Sequence, residues 1–360
     1  MRIAFVARKG NITISKGQVG LRGYSVQRLT SVLYQKLIEH KSKDMIIDLV
    51  ELGTGNSTFI RRATSFATLA YNDLNKYDII HAPTPLPMRP LRMGKDTKLI
   101  TTSHGIRSID PKSPCYQLEH NLDIKNSIID SFGARQTISS DFVIAVSSLT
   151  KKRVVDLGFD SNKVFVVNNG LDERFMASPL NKPENRKKRM FTVGYLGPFY
   201  PNKNVIFAIR AFRKLEDKKI NFEIWGKKTY EYKAMLKAAE GDDRIKFMGV
   251  APERELVSVY DRFDAFVYPT ICDQFPGSVM EAQSRGVPVI SYKYGEMSME
   301  SRRYCFEAED EEHMATIINE IKRKGIANKR ISELMRYARS FTSDRQAIET
   351  LDVYRKVYKS

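Results

Sequence analysis

The chain has 360 residues, 42% hydrophobic and 28% charged, which is ample apolar material for two cores and rules out a disordered chain. Its formal net charge of +17 is spread over the whole length among 42 acidic residues, with no basic helix, zinc finger or aromatic-interleaved RNA motif to concentrate it. That distribution argues against a nucleic-acid protein and leaves solubility, phosphorylated ligands or an anionic membrane surface as uses of the charge.

The opening M-R-I-A-F-V-A-R-K has an apolar part too short for a signal-peptide core, and Ile3–Ala7 reads as a first strand. No run approaches the roughly 20 apolar residues that span a bilayer. Arg8–Gly23 reads as a loop freed by Gly17, Gly20 and Gly23, and Tyr24–His40 has helical spacing of Val26, Leu29, Val32, Leu33 and Leu37. Strand, glycine loop and helix together open a Rossmann-like half. Further strands are predicted at Met45–Leu49, at Asp78–His81 before Pro83, and at Leu99–Thr102, which leads into T-T-S-H-G. Ser65–Leu74 is a predicted helix and Ile124–Ile138 an amphipathic stretch. The run D-F-V-I-A-V-S is a buried strand, Ser148–Leu157 a helix closed by Gly158, and Lys163–Asn168 the last strand of this half. Strands and helices alternating at this pitch build a parallel sheet with crossover helices.

Met176–Arg189, with two prolines and a basic run, is the linker candidate. The alternation then restarts: strand Met190–Leu196, a loop with Pro198, Pro201 and Lys203, helix Val205–Leu215, strand Phe222–Trp225, helix Tyr230–Ala239, strand Ile245–Met248 and helix Glu253–Arg262. Helices are also predicted at Met314–Lys322, Ile331–Ala338 and Ser343–Tyr358. The acidic run Glu309-Asp310-Glu311-Glu312 suits the start of a helix better than a metal site. Cys115, Cys272 and Cys305 form no C-x-x-C pair, which argues against a disulfide framework and a structural zinc site and fits a reducing cytosol.

The most informative stretch is Asp264–Ser291, D-A-F-V-Y-P-T-I-C-D-Q-F-P-G-S-V-M-E-A-Q-S-R-G-V-P-V-I-S. It reads as strand, loop, helix and strand, with Asp273 and Glu281 flanking the loop. Ser278 is placed as an N-cap with Glu281 as its capping-box partner, and Gly286 as the C-cap. A loop opening onto a helix N-terminus beyond a strand is where open α/β sheets bind anions. On physical grounds alone Glu281 is either a cap or a ligand-binding carboxylate, Asp273 a turn former or a site residue, Lys203 a solvated loop lysine or a phosphate contact, and His104 a buried structural imidazole or a cleft residue. His81, also at a strand end, reads as structural.

The order Asp273, Phe275, Glu281, Ala282, Gly286, Pro288, Val289, Ile290 resembles the signature of GT-B-fold retaining glycosyltransferases of family 4, the glycosyl transferases group 1. D-F-V-I-A-V-S-S with K-V-F-V-V-N-N-G-L-D is similar to the end of that family's N-terminal half, and Y-L-G-P-F-Y-P-N-K-N to its first motif after the linker. The resemblance implies an α/β protein of two Rossmann-like domains facing across a cleft. An acceptor domain would cover 1–175 and a donor domain 176–342, with the helix over 343–360 packing back on the first. It further implies transfer of a sugar from a UDP- or GDP-linked nucleotide-diphosphate sugar to an acceptor hydroxyl, with retention and without a metal or other cofactor.

By the same resemblance His104, Lys203 and Asp273 are the catalytic candidates. Glu281 would hold the ribose, and the N–H groups of Gly277, Ser278 and Val279 would meet the sugar or diphosphate. Gly20, Gly23 and Phe275 complete the donor-binding set. The chain departs from the family pattern in having Asp273 for the usual Glu, Pro198 for the usual Arg, and Arg22-Gly23 for paired glycines. These departures motivate a second reading, a non-catalytic nucleotide-sugar-binding subunit of a glycosylation complex. The implied partners are a nucleotide-sugar donor and a glycan or lipid-linked acceptor, with no nucleic acid. The expected location is cytoplasmic, with peripheral membrane contact as a further use of the basic charge.

Overall fold

The computed structural model describes residues 1–8, 13–15, 18–20, 25–53, 65, 67–86, 88–106, 108–120, 137–177 and 190–360. Gly17, Gly23, most of 124–138 and most of the linker candidate lie outside them. In chain order the elements are β1 (Arg2–Arg8), β2 (Thr13–Ser15), β3 (Gln18–Gly20), α1 (Ser25–His40), β4 (Ile46–Leu52), β5 (Ile79–Ala82), β6 (Lys98–Ser103), α2 (Pro114–His120), β7 (Phe142–Ala145), α3 (Ser148–Asp156) and β8 (Val164–Val166). There follow β9 (Phe191–Leu196), α4 (Val205–Arg213), β10 (Ile220–Trp225), α5 (Tyr232–Ala239), β11 (Ile245–Gly249), α6 (Leu256–Arg262), β12 (Ala265–Tyr268), β13 (Cys272–Asp273), α7 (Gly277–Ser284) and β14 (Val289–Tyr292). The chain closes with β15 (Glu296–Met297), α8 (Met299–Arg302), β16 (Phe306–Ala308), α9 (Glu311–Lys324), α10 (Asn328–Arg339) and α11 (Ser343–Tyr358).

The chain divides into two compact units: Met1–Asp110, Glu119–Gly170 and Phe341–Ser360 form one, Pro111–Leu118 and Leu171–Ser340 the other. The sequence shows no sign of the short excursion Pro111–Leu118.

Unit 1 holds a six-stranded sheet in the order β4-β1-β5-β6-β7-β8, parallel throughout. Its strands read as near-continuous apolar runs because both faces are covered. On one face Leu33 and Leu37 of α1 and Leu351, Tyr354 and Val357 of α11 pack on Ile3, Phe5 and Ile79. The amphipathic face of α11 therefore completes this core. Thr342 caps that helix by accepting from the Arg345 N–H, and Arg355 and Lys356 in its last turn complement the dipole. Its start is seated by Gly170, where a Cβ would fall 2.5 Å from Ser343 Cα. His81 is wholly buried, bonded to Tyr354 Oη at 2.5 Å and Thr102 Oγ1 at 2.8 Å.

The predicted loop over Arg8–Gly23 contains a short antiparallel hairpin, β2 with β3, in which Thr13 faces Gly20. Threonine, isoleucine and valine on either side of a two-residue connection favour strand pairing over open loop.

Unit 2 holds a second six-stranded parallel sheet, β11-β10-β9-β12-β14-β16. Its core is aromatic: Phe212 tilts against Phe222, and Phe263, Phe266, Tyr268 and Tyr195 form a stacked series. Asp310 caps α9 by accepting from the His313 N–H, so the acidic run does serve a helix start. No described helix is long and apolar enough to cross a membrane.

Candidate functional site

In unit 2 the strand order reverses between β9 and β12: β9 leads to β10 on one side, β12 to β14 on the other. Open α/β sheets bind ligands beyond the carboxyl ends of the strands at such a reversal. Four loops meet at that edge. The loops after β9 and β10 touch so closely that a Cβ on Gly226 would lie 1.9 Å from the Gly197 carbonyl oxygen, which only glycine permits. The turn Pro201–Lys203 is tied to the loop after β12. Asn202 accepts from the Ile271 N–H and Thr270 Oγ1, each at 2.8 Å, and its side-chain amide donates to the Cys272 carbonyl at 2.9 Å. Asn204 closes the turn in the left-handed conformation, φ 52°, and stands at the N-cap position of α4 without a side-chain cap bond. Parallel pairing of β13 with β15 then fixes Asp273 opposite Met297.

These ties bring Lys203 and Asp273 together in an ion pair, Nζ against Oδ2. Tyr268, the last residue of β12, joins both: it accepts from Lys203 Nζ at 3.0 Å and donates to Asp273 Oδ2 at 2.5 Å. Burial, and after it the Asp273 charge, hold the Tyr268 phenol well above its ordinary pKa, so it stays protonated.

The helix α7 begins beside this cluster. Its N-cap is Pro276, with no side-chain cap, so the expected capping box of Ser278 and Glu281 is absent. The fixed φ of Pro276 sets the helix start two residues earlier than expected, and Ser278 falls inside the first turn. The first N–H groups, those of Gly277, Ser278 and Val279, carry the positive end of the helix dipole. Glu281, only 7% exposed, accepts instead from Tyr260 Oη at 2.8 Å. Phe275 and Val279 are buried and act as packing on either side of the helix start. At the far end Arg285, fully buried, pairs with the Asp261 carboxylate through two 2.8 Å bonds; it is the C-cap, one residue before the expected position, and Gly286 with φ 71° stands just beyond it. Anchored at both ends, α7 presents its N-terminus in a fixed position.

The remaining candidates belong to unit 1. Gly20 ends β3, and Gly23 lies outside the described residues. His104 donates from Nε2 to the Pro83 carbonyl at 3.0 Å, while Nδ1 is buried without a partner. Burial pushes its pKa down to about 4, so it is a neutral imidazole with a bare acceptor at Nδ1. Among the described residues one group has metal-ligand geometry, Glu39, His40 and Asp344 on unit 1, where Lys36 already pairs with Asp344.

The cysteine expectation is overturned. Cys115 and Cys272 form a disulfide across 157 residues, and Cys305 alone is free. Both partners lie in unit 2, because Pro111–Leu118 belongs there, and spacing along the chain carries no trace of that proximity. With this bridge present, the cysteines no longer point to a reducing compartment. The bridge ends one residue before Asp273.

Two site residues escaped the sequence reading, Tyr268 and Tyr260. Tyr268 was legible in principle, as the polar tip of the strand at the switch point. Tyr260 sits mid-helix in α6 among apolar residues, where nothing distinguishes it from core.

A family model described as "Glycosyltransferase Family 4" matches residues 21–175, and one described as "Glycosyl transferases group 1" matches 178–338. The chain is similar to the D-inositol 3-phosphate glycosyltransferase of Corynebacterium glutamicum, 25% identical over 61% of this chain and 56% of that protein. It is likewise similar to the UDP-Gal:alpha-D-GlcNAc-diphosphoundecaprenol alpha-1,3-galactosyltransferase of Escherichia coli, 22% identical over 60% of this chain and 57% of the other. These matches thus span little more than half of either relative's length. In structure the chain resembles Anabaena HepE in complex with UDP-glucose, with TM-score 0.67, 15% identity and all of both chains covered. It also resembles sucrose-phosphate synthase from Thermosynechococcus elongatus, with TM-score 0.73, 16% identity and 99% of each chain covered. With two six-stranded α/β units, and with family models matching both halves, the chain belongs to the GT-B-fold glycosyltransferases of group 1.

Proposed function

We propose that the chain transfers a hexose-type sugar from a UDP- or GDP-linked donor to an acceptor hydroxyl, with retained anomeric configuration and without a metal. The observation that carries this reading is the meeting of an ammonium, a carboxylate and an uncapped helix N-terminus at the switch point of the second sheet.

Breaking the bond between the anomeric carbon and the diphosphate leaves negative charge on phosphate oxygens and positive charge on the sugar. Lys203 and the N–H groups at the start of α7 stabilise the first, as preorganised donors do, and supply charge that a divalent cation would otherwise bring. Asp273 accepts from a sugar hydroxyl. Glu281, aimed by Tyr260, holds the ribose hydroxyls. Asp273, held by the Tyr268 hydroxyl, is a poor nucleophile, so the acceptor oxygen bonds the anomeric carbon on the face the diphosphate leaves, passing its proton to a departing phosphate oxygen. We assign acceptor recognition to unit 1, where the bare Nδ1 of His104 would accept a hydrogen bond from a hydroxyl. The name of the E. coli relative and the +17 charge favour a lipid-linked acceptor at an anionic membrane surface.

A thermal-shift panel of UDP- and GDP-sugars tests the donor, since a ligand at 100 times its Kd stabilises by about 2.7 kcal/mol. Acceptor-dependent nucleotide release tests the chemistry, and anomeric analysis of the product tests retention. Binding without release would instead establish the non-catalytic subunit; release that needs added Mg²⁺ would refute metal independence.

A further inference from the structure

We propose that Tyr268 is a positioning residue of the donor site, acting through its hydroxyl to hold Asp273 in place while Lys203 transfers its charge from that carboxylate to the donor diphosphate. The proposal rests on the function proposed above and names a residue that the resemblance does not include.

The hydrogen-bond valence of one oxygen carries the argument. A phenol has one proton and two lone pairs. A carboxylate can only accept and an ammonium can only donate, so the Tyr268 proton must point to Asp273 Oδ2 and a lone pair must face Lys203 Nζ. Two candidate donor-site groups, from the separate loops after β9 and β12, thus converge on one atom. The ring that carries it does not move: Tyr268 is 3% exposed and lies between Tyr195, with ring centroids 6.4 Å apart and planes 14° apart, and Phe266, at 6.1 Å and 17°. Tyr195 is itself fixed by donating to the Pro198 carbonyl at 3.0 Å.

The free protein therefore holds Lys203 on Asp273. An arriving diphosphate, with more negative charge than one carboxylate, draws the flexible lysine away. Without another donor Asp273 would then lose its only fixed orientation. Tyr268 supplies that donor and leaves Oδ1 turned to the sugar. The hydroxyl should accordingly matter to the sugar and leaving-group steps and be indifferent to the base and ribose, which meet Glu281.

Tyr268→Phe keeps the ring and removes one oxygen. Nucleotide release from the preferred donor is expected to fall about 10- to 100-fold, the range for a lost hydrogen bond to a charged group. Affinity for the nucleoside monophosphate should stay within about twofold and Tm within a few degrees, as the unchanged ring packing requires. In an Asp273→Asn background the same substitution should cost at least about threefold less, because coupled residues are non-additive. Wild-type release by Tyr268→Phe, an equal loss in both backgrounds, or a loss of monophosphate affinity matched by a collapse in Tm each overturns the positioning role. Failure of the unmutated protein to bind or turn over any nucleotide sugar is a separate result, and it overturns the functional reading beneath the proposal.

Discussion

Tyr260 donates to Glu281 across 2.8 Å, and that single bond separates two roles that the sequence leaves merged. A glutamate three residues after a serine at a helix start is a capping residue by pattern. Here the helix starts on Pro276, has no side-chain cap, and Glu281 is turned to a tyrosine from the preceding helix.

Glu281→Gln keeps an acceptor for Tyr260 and has no cap to lose. Its Tm should stay within about 2 °C of the parent, while nucleotide affinity measured by calorimetry drops about tenfold or more, as expected for a lost charged hydrogen bond. A large fall in Tm with unchanged affinity would return Glu281 to a structural role.

Gly277 has no positive φ, and a Cβ there would meet nothing nearer than Glu281 Oε1 at 4.0 Å. The fold does not require glycine at this position. Gly277→Ala should raise stability by about 0.4–1 kcal/mol through the unfolded state, yet weaken binding of a diphosphate sugar that must approach the bare N–H. Equal or tighter donor binding by this variant would remove the helix N-terminus from the site.

The bridge between Cys115 and Cys272 closes 157 residues of chain. Bridges over long loops typically contribute about 2–4 kcal/mol, so Cys115→Ser or reduction should lower Tm by several degrees. Non-reducing peptide mapping should link these two cysteines and leave Cys305 free. Titration of three free thiols in the native protein would contradict the pairing. Because Cys272 precedes Asp273, the variant should also weaken donor binding.

His81 and His104 are buried neutral, their pKa values pushed down by burial to about 3 and about 4 from 6.5. Folded pKa values below the unfolded one mean that the stability is present above pH 6.5 and is lost as pH falls. The unfolded chain takes up protons that native unit 1 cannot. Between pH 6.5 and 5 each histidine should contribute a slope approaching about 1.4 kcal/mol per pH unit. Melting temperature against pH checks it, with His81→Asn expected to remove its share of the slope; an unchanged slope would show that His81 titrates normally.

The two α/β halves were legible because periodicity and turn chemistry are local. Val26, Leu29, Val32, Leu33 and Leu37 announce α1 wherever the helix ends up, and Gly286 ends α7 through its own φ of 71°. Lys203, Asp273 and Glu281 were legible as candidates because their surroundings repeat a family pattern. What each of them does was not. Lys203 meets Asp273 over 70 residues, Tyr260 meets Glu281 over 21, and Cys115 meets Cys272 over 157.

By itself, then, the sequence determined the main strands and helices, the two parallel sheets and the loop that carries the candidate carboxylates, all of which follow from residues within a few positions of one another. Only the tertiary structure decided which side chains meet at that loop. Such meetings depend on how crossover connections order the strands, and the reversal between β9 and β12 gathers loops that the chain keeps far apart. Tyr268 stands at that reversal. Its phenol belongs to the site through strand order and not through any pattern along the chain.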